Sequence, residues 1–245
     1  MAPGDRSGPG GRLGRDVEEA VRIADLAERL RAYRTALAYS YCFIIWASVM
    51  VGLPLACTAI MFSPLFTAIG PYYLGVFLST VGMSIAISMG LMFYLMARLG
   101  ALNASGYKKA PLAWSLAFSV PFALAYGILS ALEAWSFMPV AWVPAGGVAF
   151  LTIGLTVENA LVKEKLLHTR PFLLTGLLAL AASVPVLYLA SRPEACEYLV
   201  ASKTAWTWMA GPLSAMLLAS ASYLIISFVV ALYTFLTAER AVLRP

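Results

Sequence analysis

The chain has 245 residues, of which 61% are hydrophobic and only 12% charged, and its mean hydropathy is +0.82. Soluble domains carry about 25% charged residues, so most soluble-enzyme readings are removed. The formal net charge of +5 follows from where the basic residues fall along the chain, and it points to no nucleic-acid partner.

Residues 1–15 hold Gly4, Gly8, Gly10, Gly11, Gly14, Pro3 and Pro9 with few apolar groups. Such a segment buries too little surface to offset its ordering entropy, which predicts a disordered tail. A cytoplasmic amphipathic helix is predicted over 16–36. Asp16 and Glu19 make a D-x-x-E capping signal, and Ile23, Leu26, Ala27, Leu30, Tyr33 and Leu37 recur at helical spacing. Acidic residues gather near its start (Asp16, Glu18, Glu19) and Arg29, Arg31 and Arg34 near its end, as the helix dipole favours. It reads as a solvated stalk or a flat lead-in to the first span, and in a sharper reading as a docking helix for a cytoplasmic subunit.

Six apolar stretches follow, at 37–62, 73–97, 112–132, 141–162, 172–191 and 208–237. Each is about as long as the ~20 residues a helix needs to cross the hydrocarbon layer. The predicted fold class is therefore all-α, a polytopic protein with a six-helix transmembrane domain over 37–237 and a tail over 238–245. Fifteen of the 17 basic residues lie before the first stretch, in the second and fourth gaps, or in the tail. Only Arg192 and Lys203 lie in the opposite gaps. Basic loops stay cytoplasmic, so both termini are expected inside the cell, with the chain multi-pass in the cell membrane and the lipid bilayer its first partner. Tyr72, Tyr73, Trp135, Trp142, Trp206 and Trp208 near one set of ends, and Tyr39, Tyr94, Tyr107, Trp114 and Tyr233 near the other, suit the interfacial depth that amphipathic rings favour. The first apolar run begins only after a charged segment and is too long for a signal-peptide core.

Each outward span carries an interior proline, Pro54, Pro121 or Pro185, the last two within the same tripeptide, Ser-Val-Pro. Proline bends are tolerated in lipid when neighbours satisfy the freed carbonyl, so these are candidate helix kinks. Gly82, Ala86 and Gly90 share one face of the second span, as Gly211, Ala215 and Ala219 do in the last. Small residues at that spacing are candidate packing seams, within one chain or between two copies.

Chemistry-bearing residues are sparse. There is one histidine, His168, no aspartate follows Asp25, and no phosphate-cradling glycine loop is present. No catalytic, cofactor or metal site is expected, and any ATPase would be a separate polypeptide. Cys42, Cys57 and Cys196 lack metal-ligand spacing; a Cys57–Cys196 bridge stands beside the alternative of three free thiols. Glu158 and Asn159, about one turn inside the fourth span, form a candidate intramembrane polar contact. Glu158 either snorkels to Lys163 or Lys165, or serves as a cation, proton or inter-subunit contact. Arg98, Lys108, Lys109, Lys163, Lys165 and Arg170 in the basic gaps are the candidate partner-docking residues.

The stretch Glu158-Asn-Ala-Leu-Val-Lys163-Glu164-Lys165-Leu166-Leu167-His-Thr-Arg-Pro171 resembles the acidic–basic, Leu-Leu, then Pro segment of ABC-2-type export permeases. The six spans, the cytoplasmic termini and the amphipathic helix before the first span are similar to that family as well. In the family the segment follows the second span, whereas here it follows the fourth, and the usual Gly-Thr is missing. The resemblance implies a homodimeric or paired permease driven by cytoplasmic ATPase subunits. The expected function is thus a non-catalytic permease subunit of an ATPase-driven transporter. The second reading is a structural or assembly subunit of a membrane complex with no transport path of its own.

Overall fold

A long apolar run can satisfy its backbone away from water only by folding into helix or closing into a barrel. The computed structural model, which describes residues 9–61, 72–100, 110–192 and 210–243, is helical, with no strand among those residues. Helix α1 covers Pro9–Met61, α2 Tyr73–Arg98 and α3 Ala110–Ala131. A 3-10 turn, Trp135–Val140, leads into α4, Trp142–Lys163, whose middle, Gly154–Glu158, widens into a π-helical segment. Helix α5 is Pro171–Ala190 and α6 is Ala210–Leu243.

Among the described residues, five helices are long and apolar enough to cross a membrane: α1, α3, α4, α5 and α6. The apolar stretch of α2, Gly82–Arg98, is shorter and stands outside that count. Outward faces are as apolar as inward ones. On α3, Leu112, Leu116, Val120, Leu124 and Ile128 are all exposed and only Ala117 is buried. A helix hydrophobic all round suits lipid rather than water, in keeping with a multi-pass membrane protein.

The separate lead-in helix and first span predicted from sequence are one element. Helix α1 runs unbroken for 53 residues, about 80 Å, because the junction at Ala36, Leu37 and Ala38 has strong helix formers and no breaker. It takes in 9–15, placed in the tail by the sequence, while 1–8 lie outside the described residues. Val17, Val21, Ile23, Leu26 and Leu30 are exposed, and from Ala32 onward one face is buried.

The core is built by α1, α4, α5 and α6. Helices α1 and α6 pack along the longest seam. There the Ser40 hydroxyl donates to the Ala231 carbonyl at 3.1 Å, and Tyr33 lies 6.3 Å from Phe235 between ring centroids. Gly211, Ala215 and Ala219 of the α6 small-residue face are buried, as that spacing implies. Gly82, Ala86 and Gly90 on α2 point outward, exposed, and a Cβ added at Gly82 or Gly90 meets nothing. That stripe packs against no helix among the described residues.

Two backbones approach closely where α4 crosses α5. A Cβ on Gly154 would come within 2.6 Å of the Leu173 nitrogen, and one on Gly176 within 2.6 Å of the Leu151 nitrogen. Only glycine fits at either point. Helices α3 and α5 continue through Pro121 and Pro185, and α1 continues through position 54.

Candidate functional site at the α4–α5 hairpin

The segment that carries the family resemblance folds into a tight helical hairpin, and most of its residues have a local structural task. Helix α4 ends at Lys163 with Lys165 in the left-handed region, φ 57. The Lys165 amide donates to the Val162 carbonyl at 3.0 Å and the Leu166 amide to the Leu161 carbonyl at 2.9 Å. This is a Schellman cap, normally closed by glycine. Its accompanying apolar contact is present in kind, since Leu161 and Leu166 are both buried. Leu167 and Thr169 are buried too, so the Leu-Leu pair is a plug under the hairpin. The same device closes α3, where Glu133 (φ 52) takes the glycine position and the Ala134 amide donates to Leu129 at 2.9 Å.

Glu158 is fully buried. Its two carboxylate oxygens accept from the backbone amides of Phe172 at 2.9 Å and Leu173 at 3.1 Å. Those amides are orphan donors of the first turn of α5, where Pro171 at the first position has none to offer. A carboxylate there meets two aimed N–H groups and the positive end of the helix dipole. Glu158 is thus a cap supplied by the preceding helix. The π segment sets it there: the wider turn shifts the face on which the residues after Gly154 emerge. Thr152 just before this segment and Thr156 within it donate their hydroxyls to the carbonyls of Val148 at 2.9 Å and Thr152 at 2.6 Å.

Snorkelling of Glu158 to Lys163 or Lys165 is overturned. Both lysines are exposed, and neither pairs with it. The carboxylate finds closer and better-aimed donors in the backbone of α5, and reaching water would strand them. Asn159 is the second half of the contact: its Oδ1 accepts from Arg170 at 3.2 Å, closing the hairpin over its eleven-residue span. Of the docking residues named from sequence, Arg98, Lys163, Lys165 and Arg170 are exposed. Lys108 and Lys109 lie outside the described residues, as does Cys196, so its pairing with Cys57 is not described. Cys42 is a buried free thiol.

Past the cap, Phe172 anchors an aromatic cluster that the sequence reading missed. Its ring lies 5.4 Å from Tyr39, 5.0 Å from Phe43, 5.1 Å from Trp114 and 6.0 Å from Phe150. Edge-to-face and offset pairs at these separations are favourable beyond the area they bury. Tyr39 and Trp114, expected near the inner ends of their spans, both join this cluster, and Tyr39 is fully buried. Their side chains find a ring partner in Phe172 of α5, a contact favourable beyond the area it buries. Compared with known proteins, the chain matches no family model, no curated relative and no solved structure.

Proposed function

We propose that the chain is the membrane-spanning permease subunit of an ATPase-driven transporter. In this reading it crosses the cell membrane six times, has both termini in the cytoplasm, catalyses no reaction itself and works beside a separate ATPase, as a homodimer. The observation that carries the reading is the α4–α5 hairpin. It is locked by the Glu158 cap, the Lys165 turn and the Asn159–Arg170 bond, and it holds Lys163, Glu164, Lys165, His168 and Arg170 on its exposed surface. A rigid element with a charged tip suits the passing of a partner's motion into packed helices. Exposed apolar residues on the N-terminal part of α1 support a second contact for a cytoplasmic partner. The outward Gly82, Ala86 and Gly90 face supports a contact with another copy.

Purification in mild detergent tests this. The chain is expected to carry a nucleotide-binding subunit with it, and Lys163→Glu together with Lys165→Glu is expected to release that subunit while leaving the chain monodisperse. Recovery without any nucleotide-binding partner would count against the reading. An assembly subunit, the second reading, draws on the same exposed α1 and α2 faces; it predicts a stable larger complex whose reconstituted vesicles show no ATP-dependent flux.

A further inference from the structure

An open cleft of about 360 Å³ lies between α1, α2 and α3, with Phe150 and Phe172 as its floor. Its walls include Cys42 and Trp46 from α1, Met92 and Met96 from α2, and Trp114 and Phe118 from α3. Thioether and aromatic walls adapt to an irregular apolar guest. The cleft opens sideways past Met89 and Phe93, which are 44% and 53% exposed, onto the apolar outer surface of the bundle. Its depth is set by helix register. On α2 the lining runs from Met89 to Met96, two residues short of Arg98, and on α3 it starts at Pro111 beside the helix start. It therefore occupies the half of the bundle at the basic end and is about 12 Å long. The volume is at the lower end of the range for ligand sites, enough for part of one hydrocarbon chain.

Two guanidinium groups stand at the same end of the α1–α2 seam. Arg34 donates to the Arg98 carbonyl at 3.3 Å, which brings α1 and the end of α2 together and covers the negative end of the α2 dipole. Arg98 donates to the Tyr94 hydroxyl at 3.0 Å and lies 6.0 Å from that ring's centre. Both arginines are exposed, and neither reaches a carboxylate among the described residues. Each guanidinium has five N–H donors, so most remain for an anion. We propose that the cleft binds one acyl chain of an anionic phospholipid from the leaflet at the basic end, with the lipid phosphate held by Arg34 and Arg98. The site is independent of whether the chain transports anything; it requires only that the helices lie in a bilayer.

Trp46 and Trp114 in the cleft wall provide the readout. In the full chain, with Trp135, Trp142, Trp206 and Trp208 changed to Phe, substoichiometric phosphatidylglycerol with brominated acyl chains is added to detergent-solubilised protein. Saturable quenching is expected, at a half-saturating concentration on the order of tenfold below that of brominated phosphatidylcholine. Arg34→Gln with Arg98→Gln is expected to erase the difference between the two lipids while leaving quenching by each. Ser115→Phe, which fills the cleft, is expected to abolish saturable quenching by both. Equal half-saturation for the two lipids in the parent chain, or an unchanged preference in the double arginine variant, overturns the proposal whether or not the cleft-filled variant folds. Loss of the preference on adding millimolar inorganic phosphate, with chain quenching intact, would assign the arginines to a soluble anion and overturn the lipid site.

Discussion

Glu158 shows what a single buried charge does in an apolar bundle. A carboxylate at that depth is costly unless its oxygens are occupied, and here two backbone amides of α5 occupy them at 2.9 and 3.1 Å. The benefit is mutual, because those amides would otherwise be orphaned at a buried helix start. Glu158→Ala leaves both donors unsatisfied and is expected to cost about 2–4 kcal/mol, read as a lowered Tm in detergent. Glu158→Gln keeps one carbonyl acceptor and is expected to lose roughly half as much. Equal melting of the alanine variant and the parent would remove the capping role. The depth of Glu158 and its neighbours Asn159 and Arg170 were legible in the sequence, but its partner was not. Backbone amides carry no sequence signal, so a search for a charged side chain finds only Lys163 and Lys165. Lys165 and Glu133 were equally hidden as caps, since the left-handed position they fill is most often glycine.

At the scale of elements, the α4–α5 pair depends on two glycines that the sequence does not distinguish from others. Gly82 and Gly90, spaced as a packing motif, face open space, whereas Gly154 and Gly176 lie where a Cβ would strike backbone at 2.6 Å. Backbone cannot yield as a side-chain tip can. Gly154→Ala and Gly176→Ala are each expected to part the two helices and cost about 1–3 kcal/mol, while Gly82→Ala and Gly90→Ala leave the monomer's stability within about 0.5 kcal/mol of the parent. A fall in Tm with Gly82→Ala alone, in detergent that keeps the chain monomeric, would contradict this ordering. Spacing can place small residues on one face of a helix, but it cannot say which face a neighbour covers. Helix α1 teaches the converse. Its two predicted segments were each legible from composition, yet their fusion into one rod rests on the absence of any breaker at 36–38, which a change of polarity alone disguises.

For the whole molecule, lipid-facing and core-facing surfaces are alike in polarity, so burial arises from shape and from the few polar contacts between helices. That is why α1, α4, α5 and α6 form the core while α2 and α3 flank an open cleft, although each of the six carries an apolar stretch. The proposed orientation follows from charge alone and is tested at that scale. In a chain with Cys42, Cys57 and Cys196 replaced by alanine, Glu133→Cys is expected to react with a membrane-impermeant maleimide in intact cells. Lys163→Cys is expected to react only after the membrane is opened. The reverse pattern would invert the topology, and labelling of both would end the reading of α4 as a span.

Length and hydropathy were enough to determine an all-helical chain with several helices long and apolar enough to cross a membrane, because those properties are sums over many residues and tolerate local error. The approximate positions of the described helices followed for the same reason, with ends shifted where a cap or a continuous helix intervened. Tertiary structure alone decided that Glu158 caps α5, that Phe172 gathers rings from α1, α3 and α4, that α1, α2 and α3 frame an apolar cleft, and that Arg34 bonds the end of α2. Each of these joins groups distant in sequence, and the attraction depends on ångström-scale distance and direction that no one-dimensional pattern records.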